Sequence, residues 1–462
     1  MNPTICAISS GQHQAAIALI RISGEEAFRM CDTFFVAANK AVTLSTMQPN
    51  SIKFGRIFQQ NELIDEVLVS VFKAPHSFTG EDMVEIACHG SSFIQQQILQ
   101  LLIQQGCQLA QPGEFTRRAF LNGKMDLSQA EAVADLIAAQ SASSHRVAMN
   151  QMRGGFSKEL AVLRDKLLEF TALIELELDF SEEDVEFADR SSLMALATII
   201  QTKLASLARS FEVGNVIKNG IPVAIVGETN AGKSTLLNLL LNEEKAIVSD
   251  IHGTTRDVIE DIVSIQGITY RFIDTAGIRE TQDAIEKMGI KRTYQQIEQA
   301  SIILWVIDST QVNEHIDWMA ERIVSRSEGK KLILVFNKLD KINEEECRVL
   351  ELLFENITAE RLFISAAKHQ HIDALLHHLH QAAAIPSIGD QDVIITNMRH
   401  FQALTQALSA IERVQTGLST GLSGDFVSQD IRECLHYLGE ITGQISNDEV
   451  LGAIFSRFCI GK

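Results

Sequence analysis

A glycine-rich segment near the middle of the chain has the residue types and spacing of a phosphate-binding loop. The segment Gly227-Glu-Thr-Asn-Ala-Gly232-Lys-Ser234 follows the apolar run Pro222–Val226 and leads into an apolar helical pattern. Glycines let backbone N–H groups close around phosphate oxygens at a helix N-terminus, a lysine can reach the β- and γ-phosphates, and a serine hydroxyl can bind Mg²⁺. A chance glycine-rich turn would lack the strand and the helix on either side. The predicted phosphate-binding residues are Asn230, Ala231, Gly232, Lys233, Ser234 and Thr235.

Three later segments each follow a strand-like run and would complete a nucleotide site. In Asp274-Thr-Ala-Gly277 the acid can hold Mg²⁺ through water and the glycine amide can contact the γ-phosphate. In Asn337-Lys-Leu-Asp340 a buried carboxylate can accept hydrogen bonds from N1–H and the 2-amino group of guanine, and adenine would leave it unpaired. Ser365-Ala-Ala-Lys368 would support the base with main-chain amides. The predicted contacts are Asp274, Thr275, Ala276, Gly277, Asn337, Lys338, Asp340, Ser365, Ala366 and Ala367.

This order of segments predicts a GTP site with Mg²⁺, but the hydrolytic residues depart from a common pattern. In many GTPases a glutamine directly after Asp-x-x-Gly positions the attacking water, and here Ile278 occupies that place. The water-orienting group and the charge stabilisation must therefore come from elsewhere. Gly253–Asp257 lies where a switch loop belongs, and Thr255 is the candidate second hydroxyl on Mg²⁺. Arg256 and Arg279 fit surface or interface charges equally well and are left out of the catalytic set.

The elements that must position these loops divide the chain into regions. Short strands and helices alternate up to about residue 120, which predicts an α+β domain. Residues 121–216 and 385–462 have helical patterns, and 217–384 alternates strands with amphipathic helices. The predicted fold class is therefore multidomain α/β and α+β, with a P-loop α/β domain inserted in an all-α helical domain. The helical stripe that begins Leu160, Leu163, Leu167 and ends at Leu178 is predicted to be core packing.

Composition limits the class of protein. The chain has 462 residues, 46% hydrophobic and 21% charged, and a formal net charge of −19, which argues against nucleic-acid binding driven by bulk charge. The seven cysteines form no Cys-x-x-Cys pair, so neither a zinc site nor a disulfide framework is indicated. We expect no membrane span and no secretory signal, and a reducing cytoplasm fits best.

The nucleotide segments resemble the potassium-activated GTPases of the TrmE/Era/EngA group. The resemblance rests on Asn230, Gly253–Asp257 and Ile278. It implies potassium ligation by Asn230 together with switch-loop residues, and a water-orienting role for Glu286, which would otherwise be assigned to a helix surface. With Lys233 and Thr255, Glu286 completes the catalytic set. The switch residues implied for nucleotide or metal are Ser249, Asp250, Ile251, His252, Gly253, Thr254 and Thr255, of which Ser249, Ile251 and Thr254 would bind potassium.

Both ends of the chain resemble the MnmE (TrmE) family. The motifs are Phe78–Glu85 with Cys88-His-Gly90, then Pro112–Lys124 leading into Asp126–Ala132, and the terminal Phe455–Lys462. The resemblance implies a folate-binding-like, homodimerising N-terminal domain over residues 1–120. It implies that the reduced-folate ligands are Arg21, Glu85, Lys124 and Lys462. By residue type alone, Arg21 could be a solvated strand-end charge and Glu85 an ordinary polar strand residue.

Two further features concern the loop before Arg21 and the cysteine near the C-terminus. The stretch Ser9–Ala16 lacks the glycine- and proline-rich loop that the family carries before Arg21, and this bears on the folate assignment rather than on the fold. The near-terminal Cys459 could be a reachable thiol that acts on a substrate or partner, or a small apolar filler. The family resemblance implies that this cysteine is needed, and it leaves its chemical role open.

The resemblance also implies a function. Family members act with the flavoprotein MnmG (GidA), which binds FAD and NADH, to place an aminomethyl or carboxymethylaminomethyl group on carbon 5 of the wobble uridine (position 34) of certain tRNAs. A reduced folate (5-formyl- or methylene-tetrahydrofolate) would supply the one-carbon unit, and GTP hydrolysis would open and close the dimer's G domains. One alternative is a ribosome-assembly switch like Era or EngA, but the chain lacks a KH module and has one P-loop only. A folate enzyme acting on another substrate is a third possibility.

Overall fold

The computed structural model describes two compact units. It covers residues 2–11, 14–39, 42–179, 190–243, 261–273, 294–311, 314–383, 389, 392–446, 448–456 and 458–461. The first unit comprises Met1–Ala134, Gln151–Thr202 and Ala403–Lys462, and the second comprises Asp135–Asn150 and Lys203–Gln402. The domain boundaries predicted at residues 120, 216 and 384 stay a prediction.

One seven-stranded sheet forms the N-terminal part of the first unit. Its strands are β1 (Ile5–Ile8), β2 (Ile17–Ser23), β3 (Phe35–Ala37), β4 (Ser51–Gln59), β5 (Glu62–Phe72), β6 (Met83–His89) and β7 (Gln108–Leu109). They lie in the order β3-β4-β5-β6-β2-β1-β7. Side chains alternate along β2, so Ile20 and Ile22 are buried in the core while Arg21 between them points to the opposite face.

The helices of the first half of the chain are divided between the two units. They are α1 (Ala27–Asp32), α2 (Ser92–Gln104), α3 (Glu114–Leu121), α4 (Leu127–Ala138), α5 (Ala142–Met152), α6 (Gly155–Asp179) and α7 (Arg190–Asn219). In α6 the predicted core stripe is confirmed, because Leu160, Leu163, Leu167, Phe170 and Ile174 are all at most 2% exposed. The side chain of Leu178 lies outside the described residues.

The helix α7 is long and apolar enough to cross a membrane by length and composition alone. That test is weak support for a membrane span, because core helices of soluble proteins also pass it. In this helix Leu193, Ala197, Ile200 and Leu204 are buried at spacings of three and four residues. Such a stripe is typical of a helix that packs one face against protein.

The second unit contains a six-stranded sheet with helices on both faces. Its strands are β8 (Ile221–Val226), β9 (Asp261–Ile265), β10 (Ile268–Phe272), β11 (Ile302–Asp308), β12 (Lys331–Asn337) and β13 (Glu360–Phe363), in the order β13-β12-β11-β8-β10-β9. All neighbours are parallel except β9 and β10, which are antiparallel. The carboxyl ends of β8, β10, β11, β12 and β13 therefore meet at one edge of the sheet, where open α/β sheets bind ligands.

Two hydrophobic clusters, one on each face, hold this sheet between helices. The remaining helices in the described part of the chain are α8 (Lys233–Glu243), α9 (294–299), α10 (Glu314–Arg326), α11 (Glu344–Leu353), α12 (Ile372–Ala383), α13 (Met398–Thr420), α14 (Gly424–Thr442) and α15 (Asp448–Phe455). On β8, Val223 packs with residues of α8 and α12, whereas its neighbour Ala224 packs with residues of α9, α10 and α11. The prediction of a doubly wound α/β domain is confirmed.

Candidate functional site

The phosphate-binding segment leaves the end of β8 and turns at once into α8. Gly227 has φ +145, and a Cβ at this position would lie 2.1 Å from the carbonyl oxygen of Val306 on β11. Only glycine fits such a close approach of two backbones. The strand, glycine-rich turn and helix predicted for residues 222–240 are therefore present in the described structure.

The Lys233 ammonium lies inside this loop. Its Nζ donates to the carbonyl oxygens of Gly227 at 2.8 Å and Glu228 at 2.6 Å. Burial lowers the pKa of Lys233 below its usual value, and the nearby Glu228 carboxylate partly opposes that shift. A buried ammonium at the N-terminus of a helix can neutralise phosphate charge in a low-dielectric setting.

A buried asparagine connects the phosphate loop to the segment predicted for the base. Asn337 ends β12 and is 3% exposed. Its Nδ2 donates to the carbonyl oxygen of Ala231 at 2.8 Å, and its Oδ1 accepts from the Ala366 amide at 3.0 Å. Gly232, with φ +98, leaves room for this side chain, because a Cβ there would lie 2.1 Å from the asparagine Nδ2. The three predicted loops are thus joined in one place.

Asp340 lies at the rim of this place, beside Ser365. The Ser365 hydroxyl donates to Asp340 Oδ1 at 2.6 Å, and this bond is the main reason that the pKa of Asp340 is lowered. The carboxylate therefore stays ionised at neutral pH and can accept hydrogen bonds. The expectation of a buried acid at this position is wrong, since Asp340 is exposed. A base that covered it would supply the desolvation on which discrimination between bases depends.

Lys338, two residues before Asp340, is held by Asp308 at the end of the neighbouring strand β11. The backbone of Lys338 is left-handed, with φ +69, and its Nζ donates to Asp308 Oδ2 at 2.5 Å. Asp308 Oδ1 accepts from the Thr310 amide at 3.0 Å and from its hydroxyl at 2.7 Å. Burial alone would raise the pKa of Asp308, but the hydrogen bonds from Lys338 and Thr310 outweigh it and lower that pKa.

Sequence reasoning did not find Asp308 and Thr310. The sequence marks Asp308 only by its position. It directly follows the buried run Ile302–Ile307, just as Asp274 and Asn337 each follow a strand-like run. A lone aspartate before Ser-Thr has no further motif to mark it. Its pairing with Lys338 depends on β11 and β12 lying side by side, which spacing alone does not reveal.

Several predicted residues lie outside the described part of the chain. They include the whole switch loop, the Asp-x-x-Gly segment, the water-orienting candidate and the chain terminus. These residues are Ser249, Asp250, Ile251, His252, Gly253, Thr254, Thr255, Asp274, Thr275, Ala276, Gly277, Glu286 and Lys462. Within the described ranges, no group of three His, Cys, Asp or Glu side chains could hold a metal ion.

The predicted folate residues Arg21 and Glu85 form a cross-strand pair. They lie directly opposite each other on β2 and β6, and Arg21 donates to Glu85 Oε1 from Nε at 2.9 Å and from Nη2 at 2.7 Å. Their side chains are 15% and 19% exposed. The Arg21 guanidinium also lies 5.4 Å from the ring centre of Phe78 and 5.7 Å from that of Phe115. A side chain packed between aromatic rings is oriented rather than freely solvated.

The C-terminal end of the chain reaches this pair. The Gly461 carbonyl oxygen accepts from Arg21 Nη1 at 3.5 Å and from the Ser9 hydroxyl at 3.0 Å. Ser9 belongs to the stretch that departs from the family's glycine- and proline-rich loop, so this serine has a defined contact here. Gln12 and His13 of the same stretch lie outside the described residues.

Lys124 and Cys459 each contact the N-terminal region through a hydrogen bond. Lys124 is exposed, and its Nζ donates to the carbonyl oxygen of Pro75 at 2.9 Å, in the loop that also carries Phe78. Cys459 is exposed, and its backbone oxygen accepts a 3.4 Å hydrogen bond from the Gly113 amide. The thiol is therefore reachable from solvent, as one of the two interpretations expected.

Comparison with known proteins covers nearly the whole chain. The family described as MnmE helical domain matches residues 127–459, and the one described as GTP-binding protein TrmE N-terminus matches residues 4–124. A tRNA modification GTPase MnmE of Bacteroides fragilis is 61% identical over 462 residues, covering 99% of each chain. The protein of the same name from Porphyromonas gingivalis is 50% identical, covering 99% of this chain and 98% of its own.

Among solved structures, a single-residue variant of Aquifex aeolicus Era bound to GDP and aluminium fluoride is 28% identical, and the match covers 41% of this chain and 65% of the Era chain with a TM-score of 0.28. The family matches and the sequence identities of the relatives show the family to which this chain belongs. The chain is a GTPase and belongs to the MnmE (TrmE) family of tRNA modification GTPases.

Proposed function

We propose that this protein is a potassium-activated GTPase that acts with the flavoprotein MnmG on carbon 5 of the wobble uridine of certain tRNAs, using a one-carbon unit from a reduced folate. The observation that supports GTP binding is the position of the Asn337 side chain, which links Ala231 of the phosphate loop to Ala366 of the predicted base loop. The observation that supports folate binding is the Arg21–Glu85 pair, which the Gly461 carbonyl near the C-terminus contacts.

The positions of Lys233 and Asp340 support the proposed nucleotide roles. Lys233 would neutralise the β- and γ-phosphates, Ser234 would offer its hydroxyl to Mg²⁺, and Asp340 would accept from the guanine edge. Thr255 and Asp274 would complete the Mg²⁺ environment, and Glu286 would orient the attacking water. The roles of Thr255 and Asp274 rest on the spacing of their segments in the sequence, and the role of Glu286 rests on the resemblance.

Potassium would be held beside the phosphates by Asn230 with Ser249, Ile251 and Thr254. Asn230 is a non-glycine residue at φ +65, and it is exposed on the phosphate loop, so its carboxamide oxygen is available to a cation. The ion would supply positive charge where charge develops during phosphoryl transfer, a contribution worth about 10³–10⁵ in rate when an arginine finger supplies it.

The folate would lie against the face of the N-terminal sheet that carries Arg21 and Glu85. Arg21 is fixed by two hydrogen bonds to Glu85, which leaves the other carboxylate oxygen, Oε2, as the acceptor for amide and amine edges of a pterin. Lys124 and Lys462 are the predicted partners for the carboxylates of the glutamate tail. The partners of the proposed cycle are a second copy of this chain, MnmG with FAD and NADH, and tRNA, in the cytoplasm.

Reconstitution with purified components tests this proposal. The chain, its MnmG partner with FAD and NADH, tRNA, GTP and methylene-tetrahydrofolate are combined in KCl or in NaCl, and nucleosides are analysed by mass spectrometry. We expect modification and GTP hydrolysis to fall together in NaCl and in the Glu286→Ala variant, while Glu351→Gln, a change on the exposed face of α11, leaves both intact. Modification at the wild-type rate by Glu286→Ala would contradict the coupling of hydrolysis to modification.

A further inference from the structure

Lys338, two residues before Asp340, is held both at its backbone and at its ammonium group. Its backbone is held at the end of β12 in a left-handed conformation, and its ammonium is held by Asp308 at the end of β11. The methylene stem of Lys338 therefore has a set course between the two strand ends, two residues before Asp340. A lysine side chain otherwise moves among many rotamers, and ordering it on binding would oppose affinity.

The ion pair with Asp308 also determines which part of the Lys338 side chain is available to contact a nucleotide. Asp308 is 7% exposed, and its second oxygen is occupied by the Thr310 amide and hydroxyl. The ammonium is therefore neutralised by a carboxylate that is itself anchored, so Lys338 contributes an apolar stem rather than a free positive charge. An apolar stem next to Asp340 suits the flat face of a purine base.

We propose that Asp308 is a positioning residue for guanine nucleotides: by fixing the Lys338 ammonium it holds the lysine stem as a preformed surface for the base that Asp340 recognises. This inference rests on the proposed nucleotide site. It differs from a purely structural role, in which the ion pair would only join β11 to β12. A structural role changes stability, whereas a positioning role changes base affinity.

The Asp308→Asn variant separates the two roles. Its amide oxygen can still accept from Thr310, but its amide nitrogen cannot accept from the Lys338 ammonium. We expect the Kd for GDP and the KM for GTP to rise about tenfold, the loss typical of one hydrogen bond to a charged group. At saturating GTP the kcat should stay within about twofold of wild type, because the phosphates bind at the N-terminus of α8, away from this pair.

A double-mutant cycle with Lys338→Met gives the decisive readout. Methionine keeps an apolar stem and needs no carboxylate, so Asp308→Asn should no longer weaken GDP binding in that background. Glu351→Gln serves as the control for a charge change on the surface. Unfolding of each nucleotide-free variant, followed by circular dichroism, measures stability separately.

The inference is overturned if Asp308→Asn binds GDP as the wild type does, if it weakens binding equally in the Lys338→Met background, or if kcat falls together with affinity. A failure of the nucleotide site itself has a different signature, since the wild-type protein would then show no preference for GDP over ADP.

Discussion

Asn337 donates its side-chain amide to the carbonyl oxygen of Ala231 at 2.8 Å, although 106 residues separate the two along the chain. The contact exists because β8 and β12 run parallel in one sheet and end at the same edge. With its bond to the Ala366 amide, the same side chain fixes the loop for the phosphates relative to the loop for the base. The Asn337 side chain therefore helps to fix the distance between the two halves of the nucleotide site.

Replacing Asn337 with alanine should destabilise the second unit and weaken nucleotide binding. The Ala231 carbonyl and the Ala366 amide would lose their buried partner, which costs about 1–3 kcal/mol for an unsatisfied polar group. Urea unfolding followed by circular dichroism measures this change in the free energy of unfolding. Asn219→Ala, which removes an exposed amide pair with Asn215, is the control and should change it by less than about 0.5 kcal/mol. Equal stabilities of the two variants would refute the proposed link.

Gly232→Ala should abolish tight GDP binding through a steric clash. The added Cβ would lie 2.1 Å from the Asn337 amide nitrogen, at a backbone φ of +98. Gly329→Ala is a matched control, because φ is +75 there and nothing lies within 4 Å of the added Cβ. Both variants carry left-handed strain, about 1–2 kcal/mol for a non-glycine residue. GDP titration should show a large loss of affinity for Gly232→Ala only, and a similar loss in the control would point to backbone strain instead.

Asp340→Asn should change which base is bound. Asparagine presents an amide donor that matches the 2-oxo group of xanthine, and it loses one acceptor for the guanine edge. We expect GDP affinity to fall on the order of 10²-fold or more, and XDP affinity to rise above that of the wild type. Competition titrations with GDP, XDP and ADP measure both. If the variant lost GDP without gaining XDP, Asp340 would be a structural residue of its loop.

Glu85→Gln should weaken folate binding without affecting GTP hydrolysis. A neutral amide is a poorer acceptor for Arg21 and for a pterin edge, so we expect the Kd for 5-formyl-tetrahydrofolate to rise about tenfold. Calorimetric titration measures this constant. The sheet provides a matched control in Glu66→Gln, since Arg56 and Glu66 form a similar cross-strand pair whose side chains are 56% and 46% exposed. Equal folate affinity in both variants would remove Glu85 from the site.

Alkylation of the native protein should modify Cys459 first. Its side chain is exposed, whereas Cys347 is only partly so and has a pKa raised by burial and by neighbouring carboxylates. The thiolate is the reactive form, so a raised pKa slows alkylation at neutral pH. Peptide mass spectrometry after a short iodoacetamide treatment measures the order. Faster labelling of any buried thiol would contradict this placement; the buried thiols are Cys6, Cys31, Cys88, Cys107 and Cys434.

The sequence predicted what depends on local spacing and missed what depends on pairing between distant segments. The P-loop, Asn337 and Ser365 follow their strands as expected, since a strand, a turn and a helix are neighbours in the chain. The ion pair between Asp308 and Lys338 depends on strand order, which no motif encodes, and Asp340 is exposed rather than buried. Likewise, the direct pairing of Arg21 with Glu85 depends on the register of β2 against β6.

The most direct test of the proposed function is nucleoside mass spectrometry of bulk tRNA from a strain that lacks this gene, with and without the wild-type gene restored. The account predicts that wobble uridines modified at carbon 5 disappear on deletion and return on complementation. Unchanged uridines in the deletion strain would contradict the proposed role of this protein in their formation, even if the GTPase site functions as described.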